Sequence, residues 1–478
     1  MKSGNKFKRI IKRSFFAVMI SSFFISCTNR KADENSYLIK NVTVIEGDSS
    51  LPIENTNIVI QADTIKEISD EIDLNSFQNV IDGSGKYIIP GLWENHIHLS
   101  KVRSNALKLM VVNGITSVKD LGGEINELIR WKNQVQDGER IGPTIYMAGS
   151  YLESPSNYES MLERPVSTNV EPVRKMRRPV DGPEEAKNIV TELADLGVDL
   201  IKVRAVKDEE TFIAIGQAAR DHNLKLAAHT MGLSLDDILE SKVKSIEHFF
   251  IPFLDEIPKE KRIEVFQKFA DQEVAFAPNL TLFKDSELTQ NEVIQAFLDD
   301  TANAEHPRRA YMSKYALKEW QEQLSQDRSE GRKDFFKRLL PTVIRDVKEM
   351  REAGVVILPS TDTAVVFLFP GEALIQEIIY YVELLGYTPA EALKAGAFDS
   401  AEWMGVEDRV GLIKPGFVAD MVLLNKNPLE NIENIKAIES VVLKGDYLDR
   451  KELDQIKESV KDNPAIKEDN FGRYVPIK

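Results

Sequence analysis

The segment from Pro90 to His98 constrains the fold of this chain more than any other. It follows the apolar run Tyr87–Ile89 and ends in His96-Ile97-His98, which is typical of a buried strand that runs into a polar mouth. Side chains two residues apart on a strand point to the same face, so His96 and His98 project together. Two converging neutral imidazoles form half of a zinc-type site. For this pair alone, two hydrogen-bonded histidines without a metal are an equally good interpretation.

The histidine strand belongs to a strand–helix alternation that continues to about residue 405. Helical patterns such as Glu184–Leu196 and Glu209–Asp221 separate short runs that are typical of buried strands. The alternation predicts an α/β fold, a (β/α)8 TIM barrel. The predicted strands are Tyr87–His98, Ile115–Asp120, Pro143–Gly149, Val198–Arg204, Leu224–His229, Ser245–His248, Val274–Leu280 and Val355–Asp362.

Short β-rich runs flank the barrel on both sides. We expect residues 37–85 and 406–450 to form one small β-sandwich domain built from both chain ends, with the barrel over residues 86–405. Residues 451–478 are rich in charge and are expected to form a loosely packed tail.

Two long segments interrupt the predicted barrel. Tyr151–Pro179 is typical of a basic, proline-containing loop, and Asp285–Gly354 is a helical stretch longer than one barrel helix requires. Long loops in compact domains are usually functional lids or disordered. The basic residues of the first segment could hold a substrate carboxylate, although such a run more often forms a solvated face.

The first 27 residues are typical of a targeting signal. Basic residues precede the apolar segment Ser14–Ile25, which is short for a spanning helix. Cys27, the only cysteine, follows at once in a sequence that resembles a bacterial lipobox. We therefore expect a lipoprotein signal peptide over residues 1–27, a lipid on Cys27 and a tether over residues 28–36, which would anchor the protein to a membrane of the bacterial cell envelope. An ordinary signal peptide and an uncleaved anchor are the alternatives.

The charge of the chain argues against one class of partner. Its formal net charge is -15 over 478 residues, whereas binding of nucleic acid favours a basic surface. We therefore expect no nucleic-acid partner. The hydrophobic and charged fractions, 42% and 29%, match an ordinary soluble globular protein.

Chemically reactive side chains collect at the predicted strand ends. Lys202 lies near the end of the fourth predicted strand, and Asp362 ends the eighth. The carboxyl ends of barrel strands build the active site in this type of fold. Four of the six histidines also lie at such ends, namely His96, His98, His229 and His248.

These residue types suit a metal centre. Imidazoles and a carboxylate are good ligands for Zn²⁺ or a similar divalent ion. Lys202 fits as well, because burial among cations lowers the pKa of a lysine and leaves a neutral amine. Such an amine can add carbon dioxide and become a carbamate, an anion able to bridge two metals. A structural lysine paired with a carboxylate is the alternative.

The order and content of these motifs resemble the amidohydrolase superfamily. The chain is most similar to the branch that includes imidazolonepropionase-like proteins and barrel-type Xaa-Pro dipeptidases. The match spans nearly all of the sequence after the targeting segment. It rests on Pro90–His98, Gly114–Asp120, Asp199–Val203, Ala227–His229, Ser245–His248, Ser360–Asp362 and Gly411–Asp420.

The resemblance implies two divalent metal ions, with zinc expected. The histidine pair of the first strand and Asp362 would bind the first ion. The other two histidines would bind the second, and a carbon dioxide-derived carbamate on Lys202 would bridge the two. The implied ligands are His96, His98, Lys202, His229, His248 and Asp362.

The sequence departs from the family pattern at three places. Glu94 stands where the family more often has Asp, and Ser360 stands where Gly is usual. The run 397–400, Ala-Phe-Asp-Ser, replaces a commoner Thr-x-Asn. None of these changes removes a ligand, but the last two could reshape the floor of the pocket.

The resemblance and the ligand set predict an enzyme, an amidohydrolase that cleaves a carbon–nitrogen bond. We expect an amide substrate, such as an Xaa-Pro-type dipeptide or another small molecule, attacked by metal-activated hydroxide with Asp362 as the catalytic acid and base. A cyclic amide or ester/lactone hydrolase is the second candidate. A non-catalytic lipoprotein that binds ligand or metal is the candidate of another class.

Three further side chains are candidate substrate contacts. Arg204 lies two residues after Lys202 and could hold a substrate anion, although a salt bridge to a neighbouring barrel carboxylate is the preferred interpretation. Tyr151 and Tyr158 could line the pocket or pack their own segment against the barrel.

Overall fold

A computed structural model describes residues 36–163, 171–248, 257–285, 290–324, 329–363 and 365–461. The predicted signal peptide with Cys27, residues 28–35 of the tether and residues 462–478 lie outside this part of the chain. Within the described residues, no helix combines the length and the apolar character needed to span a membrane.

The strands are numbered in chain order. They are β1 Ser36–Val44, β2 Ile53–Gln61, β3 Thr64–Ser69, β4 Val80–Asp82, β5 Tyr87–Pro90, β6 Leu92–Ile97, β7 Ile115–Asp120, β8 Thr144–Met147, β9 Tyr151–Glu153, β10 Arg177–Pro179, β11 Leu200–Ala205, β12 Lys225–Ala228, β13 Ser245–Glu247, β14 Ala275–Ala277, β15 Met421–Leu424, β16 Ile438–Leu443 and β17 Asp446–Leu448.

The α-helices are numbered in the same way. They are α1 Leu99–Val102, α2 Ala106–Val112, α3 Ile125–Gln136, α4 Pro155–Glu163, α5 Glu171–Met176, α6 Pro183–Asp195, α7 Glu209–Asp221, α8 Leu235–Glu240, α9 Lys259–Asp271, α10 Leu280–Lys284, α11 Asn291–Asp299, α12 Lys314–Leu324, α13 Ser329–Glu352, α14 Glu372–Glu383, α15 Pro389–Ala395, α16 Phe398–Met404 and α17 Arg450–Lys461. Short 3-10 helices cover Leu74–Ser76, Pro307–Tyr311 and Ile432–Lys436.

Parallel strands form the wall around the site. β6, β7 and β8 pair in one sheet, and β11 to β14 pair in another that β9 and β10 extend. All residues of β6 and β7 are buried, as expected for parallel strands that have helices on one side and barrel side chains on the other. The two sheets meet where Asp199 N–H donates to Met147 O at 2.9 Å.

The eighth predicted strand, 355–362, is an irregular segment rather than a regular strand. It still completes the ring, because Leu358 N–H donates to Phe276 O and Asp362 N–H donates to His96 O, each at 2.9 Å. The φ angle of Asp362 is 58°, a left-handed conformation that interrupts regular strand pairing. The irregularity therefore coincides with a predicted metal ligand.

The small domain is a mixed sheet with strands from both ends of the chain. Its order is β17-β16-β15-β5-β1-β2-β3, with β4 beside β1, and it has an apolar core of its own. The sequence placed Tyr87–Pro90 in the histidine strand, whereas the structure places it in this sheet as β5. The chain crosses into the barrel at Gly91, where a Cβ atom would lie 2.1 Å from Thr116 Oγ1. Only glycine permits this close approach of the two domains.

The segment predicted as a long basic loop, Tyr151–Pro179, contains β9, α4, α5 and β10 in its described part. β9 pairs in parallel with both β10 and β11. Glu153 on β9 forms ion pairs with Arg177 on β10 and Arg204 on β11. The prediction of a loop was wrong for β9 and β10. These strands depend on the buried Glu153 carboxylate, whose partners lie far away in the sequence.

The helical stretch predicted over 285–354 is confirmed in its described part and covers one side of the barrel mouth. An aromatic cluster joins Phe297 of α11 and Trp320 of α12 to Phe367 and Phe369, which follow Asp362 in the chain. Helix α12 also contacts α1, which begins directly after His98. The helical stretch thus packs against the segment that follows His98 and against the segment that follows Asp362.

The expected charged tail begins as a helix. In α17 the apolar side chains of Leu453, Ile456 and Val460 are buried, and the helix packs on α2 of the barrel. Apolar residues spaced three and four apart give α17 this packing face.

Candidate metal centre

The four predicted histidine ligands come together at the carboxyl ends of the strands. His96 and His98 close β6, His229 follows β12 and His248 follows β13. The ring centroids of His98 and His96 are 5.4 Å apart, those of His96 and His248 4.8 Å, and those of His248 and His229 4.9 Å. Barrel topology thus places four imidazoles from three strands in one row.

Asp362 faces this row from the irregular segment 355–362. Its Oδ1 lies 3.1 Å from His98 Nε2 and 3.6 Å from His96 Nε2, and its Oδ2 lies 3.8 Å from His248 Nε2. The ligand atoms of His96, His98 and Asp362 all lie within 4.8 Å of one another. These three residues form the compact group of ligands that the first metal position requires.

A buried carboxylate fixes the orientation of His96. Its Nδ1–H donates to Glu247 Oε2 at 2.8 Å, and both side chains are almost completely buried. The Nε2 atom is then unprotonated and has no hydrogen-bond partner among the described residues. A ring held in this way directs a free lone pair at the site, as a metal-binding histidine does.

A backbone carbonyl fixes the orientation of His98. Its Nδ1–H donates to Gly122 O at 2.9 Å, because a carbonyl oxygen can only accept. Gly122 has a φ of 137°, and a Cβ atom there would lie 1.9 Å from Cδ1 of Tyr151. The glycine is therefore required both by the left-handed backbone and by the tyrosine ring against it.

The donor set fits a divalent cation. In the neutral form of both rings, the Nε2 lone pairs of His96 and His98 point at an anionic oxygen of Asp362 without a proton between them. A second proton on His98 would relieve one of these contacts, whereas a cation among the three atoms relieves all of them. Two imidazoles and a carboxylate are also the ligand types that Zn²⁺ prefers.

Burial favours the neutral, ligand-competent form of His96, His229 and His248. Burial, together with the positive charge of Lys202, lowers the pKa of His96 to about 3. Burial also lowers the pKa of His248 to about 4 and that of His229 well below its usual value. Neutral imidazole is the form that coordinates a metal.

Lys202 on β11 is almost completely buried, with 1% of its side chain exposed. Burial lowers its pKa to about 8, although Glu247 and Asp362 act in the opposite direction. Its Nζ atom has no hydrogen-bond partner among the described residues. An amine in this state is partly neutral near pH 8, which is what reaction with carbon dioxide needs. The second metal position and the carbamate remain predictions that extend the compact group of His96, His98 and Asp362.

Glu94, one of the departures from the family pattern, links the first strand of the barrel to its last strand segment. Glu94 accepts from His96 N–H at 3.0 Å, from Thr361 N–H at 3.1 Å and from Thr361 Oγ1 at 2.7 Å. Burial raises the pKa of Glu94 to about 8. The longer side chain thus links the strand of His96 to the segment of Asp362.

A second departure supports the floor of the site. Asn95 Nδ2 donates to Ser400 Oγ at 2.9 Å and to Pro359 O at 2.8 Å. Ser400 belongs to the run 397–400, which replaces the commoner family sequence. The serine therefore holds the residue next to His96 in place.

Of the candidate substrate contacts, Tyr151 and Arg204 reach the site. The Tyr151 ring lies 6.0 Å from that of His98, and Arg204 Cζ lies 6.0 Å from the same tyrosine ring. Arg204 Nη1 donates to Glu153 Oε1 at 3.0 Å, so the salt bridge preferred from the sequence is present. Tyr158, seven residues after Tyr151, is half-buried on α4.

Three residues around the histidines were not predicted to contact them. The first is Glu247, which accepts from His96 Nδ1–H. The alternation Ser245-Ile246-Glu247 could have shown that its side chain points inward. Asn279, whose amide lies 2.9 Å from His248 Nδ1, and Lys119 gave no such signal.

Comparisons with known proteins agree with this fold. The family model described as "Amidohydrolase family" matches residues 87–448, which is more than half of the chain. The ochratoxinase of Aspergillus niger is 24% identical over 442 residues, covering 82% of this chain and 81% of the relative.

Solved structures match over most of their length. A Xaa-Pro dipeptidase with bound methionine in its active site has a TM-score of 0.65 and 20% identity, over 87% of this chain and 100% of its own. The bottromycin amidohydrolase has a TM-score of 0.68 and 19% identity, over 90% of this chain and 91% of its own. These matches show the TIM barrel with an added β domain. Taken with the family match, they establish that the chain belongs to the amidohydrolase family.

Proposed function

We propose that this hydrolase uses a divalent-metal centre to cleave the amide bond of a small molecule, with an Xaa-Pro-type dipeptide as the first candidate substrate. The observation that carries the proposal is the contact of Asp362 with the Nε2 lone pairs of His96 and His98. The names of the related proteins, an ochratoxinase, a Xaa-Pro dipeptidase and an amidohydrolase, support an amide substrate.

The side chains divide the work between binding and proton transfer. Divalent ions held by the histidines, Lys202 and Asp362 would supply an activated water and an electrophile for the substrate carbonyl, and Zn²⁺ suits this ligand set. Like His98, Asp362 remains partly open to the mouth, with 18% of its side chain exposed. It is placed to take a proton from the attacking water and to pass it to the leaving nitrogen. The carbamate proposed on Lys202 would supply the anion between the two ions.

We expect Asp362→Asn to lower turnover by about 10²–10⁴-fold, the usual contribution of a proton-transfer group. The amide keeps the shape and one oxygen ligand, so metal content should stay close to that of the wild type. Steady-state kinetics and elemental analysis of the same preparation measure both quantities. Asp446→Asn, an exposed carboxylate on β17, is the matched control. A variant with normal turnover and intact metals would move the base to another residue.

A substrate screen separates the candidate functions. Dipeptides, cyclic amides and lactones are offered to the metal-loaded wild type, with Asp362→Asn as the inactive reference. Hydrolysis of dipeptides supports the proposal, and selective hydrolysis of lactones or hydantoins supports the second candidate. Metal binding without turnover on the whole panel would support a non-catalytic binding protein.

The charges around Glu153 favour a substrate that carries an anion. Arg177 and Arg204 both contact Glu153 Oε1, and Asn157 Nδ2 donates to its Oε2 at 2.5 Å. One buried carboxylate thus balances two guanidinium groups and leaves one positive charge beside Tyr151. Because 35% of the Arg204 side chain is exposed, its remaining N–H groups can reach a substrate carboxylate.

We expect Arg204→Met to lower kcat/KM by about 10–100-fold for a dipeptide with a free carboxylate, the size of a lost charge-assisted hydrogen bond. The same dipeptide with an amidated C-terminus should be cleaved equally by variant and wild type. Arg178→Met, which removes a surface partner of Glu192, is the control. Equal losses on both substrates would assign Arg204 a structural role only.

We also propose that the protein works at the cell envelope, anchored through Cys27. The support is the lipobox-like sequence that follows the apolar segment Ser14–Ile25. Wild-type protein should sediment with membranes after cell fractionation, and Cys27→Ser should move it to the soluble fraction. Wild-type protein found in the cytoplasmic soluble fraction would contradict this assignment.

A further inference from the structure

A second buried lysine lies beside the metal centre and has no role in the chemistry described so far. Lys119 on β7 is 0% exposed. Its Nζ atom has no hydrogen-bond partner among the described residues. An ammonium group in such a place is costly unless a nearby charge compensates for it.

Burial lowers the pKa of Lys119 to about 8, so the ammonium form still prevails at pH 7, and two groups stabilise this form. Its Nζ lies 3.9 Å from the centre of the Trp403 ring, a cation–π contact in a buried position. It also lies 4.0 Å from Glu247 Oε1, and the carboxylate is fully buried as well. Lys119 and Glu247 thus form an ion pair in the barrel interior.

Glu247 connects this ion pair to the first metal position. Its Oε1 accepts from Ser245 Oγ at 2.6 Å, and its Oε2 accepts from His96 Nδ1–H at 2.8 Å. The chain Lys119–Glu247–His96 therefore ends at the Nε2 lone pair that faces Asp362. A carboxylate behind a ligand histidine fixes the tautomer and the ring orientation.

Lys202 also acts on Glu247 with its positive charge. A carbamate on Lys202 would replace that charge with an anion, and Lys119 would then be the lysine that still offers an ammonium group to Glu247.

We propose that Lys119 is a positioning residue whose charge balances Glu247 and thereby holds His96 as a ligand of the first metal ion. The inference rests on the metal centre of the proposed function, and it assigns the role to a lysine that contacts no ligand directly. Its consequence is a loss of metal affinity when the charge is removed, before any substrate is added.

The test measures metal affinity in four proteins: wild type, Lys119→Met, Glu247→Gln and the double variant. Chelator competition gives the dissociation constant for Zn²⁺, and the visible spectrum of the Co²⁺ form reports the ligand field at the ion. Circular dichroism checks that each protein is folded. The matched control is Lys225→Met, because Lys225 Nζ also lies over the Trp403 ring, 5.1 Å from its centre, but donates to Trp403 O rather than facing Glu247.

We expect Lys119→Met and Glu247→Gln each to weaken metal binding by about 10–100-fold, the range for loss of a group behind a ligand. The double variant should lose no more than Glu247→Gln alone, because both changes break the same chain. Both single variants should shift the Co²⁺ spectrum in the same way, and Lys225→Met should leave affinity and spectrum unchanged.

Other outcomes overturn the inference. The inference fails if folded Lys119→Met binds metal as tightly as the wild type. It also fails if the fold-loss of metal affinity in the double variant equals the product of the losses in the two single variants. If Lys119→Met does not fold, the comparison of Glu247→Gln with the double variant decides: equal affinities support the inference, and a further loss contradicts it. A wild type that binds no metal would refute the proposed function instead, so the two failures are distinguishable.

Discussion

Three electron-rich atoms meet at the mouth of this barrel: one carboxylate oxygen of Asp362 and the Nε2 atoms of His96 and His98. Both imidazoles have their Nδ1–H groups engaged elsewhere, by Glu247 and by Gly122 O. In their neutral forms they repel the carboxylate they face. A cation at this point would relieve that repulsion, and the buried carboxylate and the glycine hold the two rings in the orientation that would bind it.

The backbone holds two of the residues at the site in an uncommon conformation. His248 and Asp362 have φ angles of 67° and 58°, in the left-handed region that few non-glycine residues adopt and that histidine and aspartate enter more readily than most. Positive φ at functional residues persists only where surrounding contacts enforce it. Those contacts are present, since His248 N–H donates to Ala277 O at 2.8 Å and Asp362 N–H donates to His96 O at 2.9 Å. The aromatic cluster of α11 and α12 packs on Phe367 and Phe369, which follow Asp362 in the chain, and adds further support.

The sequence predicted what depends on local pattern and on order along the chain. Alternating apolar runs and helices gave the barrel, and the strand ends gave Asp362 and the histidines, because strand direction alone decides where those ends meet. Contacts between residues far apart in the sequence could not be predicted from local pattern. Glu153 joins Arg177 and Arg204, and no periodicity marks such a pairing.

Two other features show the same limit. The eighth strand was expected to be regular, but a left-handed residue within a strand pattern leaves no trace in composition. Lys119 lies in an ordinary buried strand. Its partner Trp403 lies on α16, close to the C-terminal boundary of the barrel domain in the sequence. Buried ion pairs of this kind depend on the assembled fold, so their members cannot be distinguished in the sequence from structural lysines and glutamates.

The central claim is that the facing lone pairs bind metal and that Lys202 carries a carbamate. A crystal grown with Zn²⁺ and bicarbonate, with diffraction recorded on both sides of the zinc absorption edge, tests it most directly. The account predicts one anomalous peak among His96, His98 and Asp362, a second beside His229 and His248, and continuous density beyond Lys202 Nζ. A metal-soaked crystal with no peak at the first position, or metals with an unmodified Lys202 ammonium between them, would contradict it.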